Sequence, residues 1–308
     1  MRLKHGWAVA FTLPMFLNPH VAWGWSATGH KVVAAIADKY LTTEARARLR
    51  SLIGSEHLDF EGLSSWADDV RKFSRPETIE FHFVNIPIQE AQFNQQRDCP
   101  SSRCVVDKLQ YYAMKLPPLE PNAARWMHEE QVDALRFLIH FMGDIHQPLH
   151  TANDPTYDGT KCKDGAKDRG DRGGGCKRVQ SPGQKESNLH DVWDERILRD
   201  AMDALSLTDP NNYANHLALN VLTQDVEVPG EYSFETWANE GHALAQAIYK
   251  ELPTPRDEDS VYELPASYSS DNKAVVEIQL KRAGVRLAQV LNKVLAQPAP
   301  SPSDSSTP

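Results

Sequence analysis

The stretch HFMGDIHQPLH, from His140 to His150, holds three histidines and one aspartate. On a helix, His140 and Asp144 are four positions apart, so their side chains leave the same face one turn apart. Pro148 disfavours helix in the residue before it, so we expect the helix to end near His146 and His150 to follow from a turn. His146, two positions from Asp144, points elsewhere. This arrangement of nitrogen and oxygen ligands indicates a metal site.

A second pair with the same spacing occurs in NLHDVWD, where His190 and Asp194 lie on a predicted helix. A single pair of this kind is also common as a surface contact, but two pairs with a following histidine favour metal binding. Asp68 in SSWADDVR and His82 in EFHFVN offer a further oxygen and nitrogen. Imidazole and carboxylate together suit zinc, whereas carboxylates and carbonyls alone suit calcium or magnesium.

The first 24 residues have the features of an export signal. Two basic residues precede an apolar run from Trp7 to Leu17, and Ala22-Trp23-Gly24 is a small-x-small cleavage pattern. The run is shorter than the roughly 20 residues that span a bilayer, which disfavours a membrane anchor. We therefore expect a secreted or periplasmic protein that begins at Trp25. A free Trp25 would offer its amino nitrogen and carbonyl oxygen as a chelate, with His30 five residues along.

The net charge excludes one class of function. The chain has 33 lysines and arginines against 42 acidic residues, and removal of the signal takes away two of the basic ones. Most of the affinity of duplex DNA-binding proteins comes from contacts between basic side chains and phosphates. We therefore do not expect a basic DNA-binding surface, and an anionic substrate would need bound metal ions to attract it.

Apolar residues recur at helical spacing through most of the chain, and no internal repeat is present. The pattern predicts an all-α fold, a single mostly helical domain over residues 25–297 with long irregular loops at 76–102 and 151–186. Residues 79–88 are extended at most, and 298–308 have the composition of a disordered tail. The predicted helices follow Gly29, run from Thr42 to Gly54, and cover residues 62–73, 103–115, 128–146, 187–205, 211–223, 233–250 and 272–296.

The four cysteines allow three pairings. The most economical are local bridges from Cys99 to Cys104 and from Cys162 to Cys176, each of which would tie down a long loop. A four-cysteine zinc site is the alternative, although the spacings lack the paired C-x-x-C pattern. The second pair brackets the glycine-rich residues 159–179, which lack the G-x-x-x-x-G-K-[ST] pattern, so a solvated, disulfide-tied loop is favoured over a phosphate cradle.

Taken together and in order, the candidate ligands resemble those of the secreted tri-zinc S1/P1 nucleases of fungi, plants and some bacteria, and we interpret the chain as a bacterial member. The resemblance covers nearly the whole mature chain and implies a fold of the zinc phospholipase C/nuclease type with three Zn²⁺ ions. The nine matching positions are Trp25, His30, Asp68, His82, His140, Asp144, His150, His190 and Asp194.

The resemblance also implies a role for each position. One zinc would be held by Asp68, His82, His140 and Asp144. Asp144 would bridge it to a second zinc held by Trp25 and His30. The third zinc would be held by His150, His190 and Asp194, and would bind phosphate and stabilise the departing 3′ oxygen. In the family a hydroxide between the paired metals attacks phosphorus, so Asp68 would orient it and Arg71 would stabilise the phosphoryl charge.

Phe83 and Asn85 resemble the nucleobase subsite of the family, in which a ring stacks on the base and an amide bonds its edge. Stacking requires an unstacked base, so single strands should be preferred. For Phe83, core packing is the alternative.

The resemblance implies an endonuclease that cuts single-stranded DNA and RNA to 5′-phosphorylated products and removes 3′-phosphates from nucleotides. We expect a monomer without a stable protein partner. A zinc phospholipase C acting on phospholipids is the alternative, but the short interval from Trp25 to His30 and the aspartate at 194 favour the nuclease. A non-catalytic zinc-binding protein would not need Arg71 beside a metal cluster.

Overall fold

A computed structural model of the chain describes residues 25–120, 123–162, 170–219, 232–255 and 261–296. The predicted export signal and the predicted tail lie outside these residues. Helices dominate the described part of the chain, which confirms the predicted mostly helical fold. None of the helices in the described ranges is long and apolar enough to cross a membrane.

Most of the helices agree with those predicted from the apolar pattern. The second helix begins after Thr42, whose side chain accepts a hydrogen bond from the Ala45 amide, and it ends at Gly54, as predicted. In order, the helices are α1 (Ala27–Tyr40), α2 (Thr43–Ile53), α3 (Trp66–Phe73), α4 (Gln95–Asp98), α5 (Val105–Met114), α6 (Arg125–Asp144), α7 (Leu189–Asp191), α8 (Ile197–Ala204), α9 (Pro210–Ala218), α10 (Phe234–Lys250) and α11 (Tyr268–Leu295). A π-helical turn, Val192–Arg196, joins α7 to α8.

The core forms where the long helices pack together. Helix α11 lies along α1 and α8, and α5 packs against α6. Every side chain of α6 from Phe137 to Asp144 is buried, so this end of the helix is covered on all sides. Because a buried charge is costly unless it is paired or bound to a cation, the polar residues in this run must have partners.

Residues 76–82 are not extended. The segment Pro76–His82 forms a 3₁₀ helix, and the chain becomes extended only from Phe83 onward. Pro76 favours this start because its φ is fixed near the helical value. Thr78 then closes the turn, since its amide and its hydroxyl both donate to the Arg75 carbonyl, at 3.0 and 2.7 Å.

A small sheet, which the sequence pattern did not predict, has its central strand within the second irregular segment. Its central strand β1 (Arg178–Gln180) pairs antiparallel with β2 (Ser187–Asn188) and parallel with β3 (Tyr262–Glu263). The cysteines form the two local bridges that the sequence favoured, Cys99–Cys104 and Cys162–Cys176, and none is left for a zinc site. Disulfides are typical of proteins from oxidising compartments.

Residues 82–88 and 150–153 run side by side, and we call them the paired segments. The Val84 amide donates to the His150 carbonyl at 2.8 Å, and the Asn153 amide donates to the Ile86 carbonyl at 2.9 Å. The Ile88 amide then donates back to the Asn153 carbonyl at 2.8 Å. This backbone ladder fixes the two segments, and therefore His82 and His150, relative to each other.

Candidate metal centre

Histidine and carboxylate side chains from distant parts of the chain meet in groups whose ligand atoms lie within 4.8 Å of one another. Two of the groups share a histidine and form one cluster, which we call the paired cluster; it consists of His30, Asp68, His82, His140 and Asp144. The other group, which we call the third cluster, consists of His150, His190 and Asp194. All of these side chains are buried except Asp68, which is partly buried.

Helix α6 carries the centre of the paired cluster. The predicted one-turn spacing places Nε2 of His140 3.3 Å from Oδ2 of Asp144. Helix α1 brings His30 to the same point, with its Nε2 3.4 Å from Oδ1 of Asp144. A side chain at Gly143 would prevent this, because a Cβ there would lie 2.6 Å from Nδ1 of His30. The glycine in the motif therefore lets α1 and α6 approach closely enough to share one carboxylate.

The two oxygens of Asp144 face different partners. Oδ1 faces His30, whereas Oδ2 faces Nδ1 of His82 at 2.9 Å as well as His140. Burial opposes ionisation, but the surrounding histidines, His140 first among them, hold the pKa of Asp144 well below its usual range. A charged carboxylate with one oxygen toward each set of nitrogens has the geometry of a bridge between two cations.

The ring nitrogens of the paired cluster meet acceptors rather than donors. Nδ1 of His140 donates to the Ser64 carbonyl at 2.8 Å, so in the neutral ring Nε2 carries a lone pair, and this lone pair faces the carboxylates of Asp68 and Asp144. Among the described residues, that nitrogen, both ring nitrogens of His30 and Oδ1 of Asp144 are buried without a hydrogen-bond partner. Metal cations between these atoms would satisfy them, so the side chains fit bound metal.

The side chains of the third cluster also fit a bound cation. Nδ1 of His150 donates to the His82 carbonyl at 2.7 Å, and Nδ1 of His190 donates to the Gly173 carbonyl at 2.8 Å. Each neutral ring therefore has its lone pair on Nε2, and these two nitrogens are only 3.1 Å apart. Oδ2 of Asp194 lies 3.4 Å from Nε2 of His190. Lone pairs that face each other beside a carboxylate fit a bound cation.

Burial controls protonation in the third cluster. It lowers the pKa of His190 to about 3, with the nearby charge of His150 as a further cause. Burial also raises the pKa of Asp194 well above its usual range, against the effect of a hydrogen bond from the Gln147 side-chain amide. Burial thus favours the neutral form of His190, which can act as a ligand, and disfavours the ionised form of Asp194.

A glycine turn places the carbonyl that orients His190. Gly173 has φ +58°, and a Cβ there would lie 2.1 Å from the Leu149 carbonyl oxygen. The turn is held by the Cys162–Cys176 bridge and by Asp171, whose carboxylate accepts from the Tyr249 hydroxyl at 2.6 Å. Within its described residues, the glycine-rich segment therefore supports the third cluster through Gly173.

Arg71 lies beside both clusters. Its Nη2 is 2.7 Å from Oδ1 of Asp68, and the side chain is buried. After burial, its positive charge is a further cause of the lowered pKa of His82, His150 and His190. Burial would raise the pKa of Asp68, but His140 and Arg71 lower it far below its usual range. An ionised carboxylate and a guanidinium thus lie side by side at the metal centre.

His146 belongs to neither cluster. Its Nδ1 donates to the Met142 carbonyl at 2.8 Å, and its Nε2 lies 3.0 Å from Nη1 of Arg286. Burial and then the Arg286 charge lower the pKa of His146 well below its usual range, so the ring is a neutral acceptor for the guanidinium. It packs against the Trp237 ring at a centroid distance of 5.5 Å.

The remaining sequence candidates lie close to these clusters. Trp25 is buried beside Gly143, and the Ser26 amide donates to the Asp194 carbonyl at 3.0 Å, which ties the start of α1 to the third cluster. Phe83 is half-buried and Asn85 is exposed, directly after His82.

Sequence reasoning missed the groups that orient the ligands. Gln147 accepts from the Leu149 amide and donates to Asp194, so it fixes which carboxylate oxygen is free for a cation. Its place between His146 and Pro148 in the motif was a signal that could have been used. The carbonyls of Ser64 and Gly173 leave no such signal, since every residue has one.

Comparisons with known proteins agree on one family. A family model described as S1/P1 Nuclease matches residues 25–296. Endonuclease 4 of Arabidopsis thaliana is 28% identical over 315 residues, which cover 96% of each chain. Nuclease S1 of Aspergillus oryzae is 26% identical over 91% of this chain and 94% of its own, and Nuclease P1 of Penicillium citrinum is 26% identical over 88% and 97%.

Proposed function

The chain belongs to the S1/P1 nuclease family, and we propose that it is a secreted, zinc-dependent endonuclease that cuts single-stranded DNA and RNA. The products would carry 5′-phosphates, and the same site would remove 3′-phosphates from nucleotides. The observation that carries this proposal is the pair of histidine–carboxylate clusters, with Arg71 paired to Asp68 of one and acting electrostatically on His150 and His190 of the other. Its relatives are named as nucleases and endonucleases, which supports the same reaction class.

We propose three zinc sites. The first would use Asp68, His82, His140 and Asp144. The second would use Asp144 with His30 and with the amino and carbonyl groups of Trp25, set free by removal of residues 1–24. The third would use His150, His190 and Asp194. The mixture of imidazole and carboxylate supports zinc over calcium or magnesium, and the lone pairs that face one another support cations at these positions.

When bound, zinc ions of this kind lower the pKa of water to about 7 and stabilise the entering and leaving oxygens of a displacement at phosphorus. Asp68 would orient the attacking water, since its ionised carboxylate can accept a hydrogen bond from that water. Arg71 would donate hydrogen bonds to the phosphoryl oxygens, because a guanidinium matches a phosphate in geometry and charge. Because Arg71 is buried, its guanidinium acts with little screening by water.

Phe83 and Asn85 would bind the base of the nucleotide at the scissile phosphate. A half-buried ring next to His82 can stack on a base, and the exposed amide can bond the base edge. The ring can stack only on a base that is not stacked on its neighbours in a duplex, which supports a preference for single strands. The acidic chain would then attract a phosphodiester only at the metal centre, since it has no excess of basic residues.

We further propose the domain boundaries 25–297 for the nuclease domain, with residues 298–308 as a tail. A monomer would suffice, because both clusters and Arg71 come from one chain.

The test uses the exported protein, with its N-terminal mass and its zinc content measured first. We expect a chain that begins at Trp25, contains three zinc ions, and converts a single-stranded oligonucleotide to 5′-phosphorylated fragments in a chelator-sensitive reaction. Phosphatidylcholine vesicles form the second arm. Turnover of the lipid with inert DNA would overturn the proposal in favour of a phospholipase C, and bound zinc with neither activity would indicate a non-catalytic protein. An active, fully loaded chain with a different first residue would refute the Trp25 chelate alone.

A further inference from the structure

His242 in α10 is a fully buried histidine that belongs to neither cluster. Its Nδ1 lies 2.9 Å from the Thr151 carbonyl oxygen, and its Nε2 lies 2.8 Å from the Glu90 carbonyl oxygen. Both ring nitrogens thus lie at hydrogen-bond distance from backbone carbonyl oxygens. The ring therefore joins two backbone segments that are far apart in the sequence.

Two further side chains on the same face of α10 bond the same loop. Asn239, three positions earlier, accepts from the Phe93 amide at 2.7 Å. Gln246, four positions later, donates to the carbonyls of Ile88 and Glu90 at 3.0 and 2.9 Å. One polar face of the helix thus supplies the partners that the backbone of residues 88–93 would otherwise lack.

The segments joined by His242 are those that carry the proposed substrate contacts. Thr151 directly follows His150 of the third cluster, and Glu90 follows the end of the paired segments, which begin with His82 and Phe83. The ladder between these segments ends where the Ile88 amide bonds the Asn153 carbonyl. His242 contacts this ladder from outside: Glu90 lies beyond its last hydrogen bond, whereas Thr151 lies within it, between His150 and Asn153.

We propose that His242 is a positioning residue that, together with the ladder, holds the third cluster and the edge formed by Phe83 and Asn85 at one separation. A nucleotide that binds its phosphate at the cluster and its base at that edge needs both at one fixed separation. The inference rests on the proposed function, because it assumes that a base stacks at Phe83. The effect of His242 is on substrates that carry a base, whereas a residue needed only for packing would affect all substrates alike.

The test compares two single-stranded substrates of the same length and charge, an oligothymidylate and a strand of abasic residues. His242→Phe keeps a ring of similar size and removes both nitrogens that face the carbonyls, and His57→Phe is the matched control, since the His57 side chain is 76% exposed. We expect His242→Phe to raise KM for the oligothymidylate about tenfold, part of the stacking free energy of one base. We expect KM for the abasic strand, kcat and the zinc content to stay at the values of the unchanged protein.

A second variant covers the case in which His242→Phe does not fold. Gln246→Met keeps the length of the side chain and removes its two hydrogen bonds, so it should raise KM for the oligothymidylate in the same selective way by a smaller factor. Equal changes on both strands, or no change on either, would overturn the inference while leaving the nuclease intact. If the unchanged protein cuts neither strand, the proposed function fails and this inference fails with it.

Discussion

The two clusters hold similar side chains in different ways. In the paired cluster, His30, Asp68, His140 and Asp144 are carried by the long or regular helices α1, α3 and α6, whose packing fixes them. In the third cluster, His150 lies in a 3₁₀ turn, Pro148–Thr151, and His190 and Asp194 lie on α7 and the π-helical turn after it. Their orientation depends on a loop carbonyl and on one amide side chain.

The two clusters also differ in how the protein affects the ionisation of their carboxylates. Neighbouring histidines favour the ionised form of Asp144, whereas burial disfavours the ionised form of Asp194. The carboxylate of the paired cluster is therefore stabilised by the fold itself, and that of the third cluster by whatever cation it binds. We infer that the paired cluster keeps its form without metal and that the third cluster is the more dependent of the two on its ligand and on its loops.

Asp144→Asn should have the largest effect on activity. The change removes the charge between His30 and His82, so the two metal positions that share this carboxylate lose their bridge. We expect kcat/KM on single-stranded DNA to fall about a thousandfold or more, which corresponds to several kcal/mol of lost metal-dependent stabilisation. Metal analysis should show the loss of two ions with the third retained. Activity within tenfold of the unchanged protein would contradict a bridging role.

Asp194→Asn and Asp144→Asn should have different effects on the thermal stability of the metal-free protein. In chelator, the amide replaces a carboxyl that burial keeps from ionising, so the midpoint of thermal unfolding should rise or stay unchanged. Asp144→Asn in chelator should lower it, because there the fold favours the ionised form and the change removes that contribution. The measurement is thermal unfolding of both variants at neutral pH in chelator. Equal shifts in the same direction would contradict the inferred difference in ionisation between the two carboxylates.

Cys162→Ser with Cys176→Ser should weaken the third cluster selectively. The bridge closes the loop that contains Gly173, whose carbonyl orients His190. Loss of such an outer contact costs about 10- to 100-fold in metal affinity or activity. Cys99→Ser with Cys104→Ser is the control, because it also removes a disulfide but from the other irregular segment. Titration of zinc into the metal-free variants is the readout, and equal losses in both would show that only general stability is affected.

His146→Phe should have the smallest effect on activity. The ring binds Arg286 and the Met142 carbonyl, not a cluster, and Arg286 keeps its ion pair with Glu240 at 2.7 Å. We expect zinc content and kcat/KM within about twofold, and a loss of about 1–3 kcal/mol in the free energy of unfolding from the unsatisfied polar groups. Loss of one zinc ion would mean that this histidine is a ligand after all.

The sequence predicted what depends on local spacing. His140 and Asp144 share a helix face at any packing angle, and the end of the helix before Pro148 follows from the missing amide hydrogen. The contacts that orient the ligands could not be read in this way. Gln147 donates to Asp194, which is 47 positions away in the sequence. Position 173 requires glycine because the chain there passes too close to the Leu149 carbonyl for a side chain. The 3₁₀ helix before His82 was missed because its hydrogen bonds depend on Thr78 rather than on an apolar period.

The carboxylate of Asp144 gathers side chains from α1 and α6, which are more than a hundred positions apart in the sequence. Such a site has high contact order, so it forms late in folding and cannot exist in the unfolded chain. Each ion that binds only the folded form stabilises it by mass action, about 1.4 kcal/mol for every tenfold rise in free zinc above the dissociation constant. The lifetime of the folded protein would then follow the zinc concentration of its surroundings.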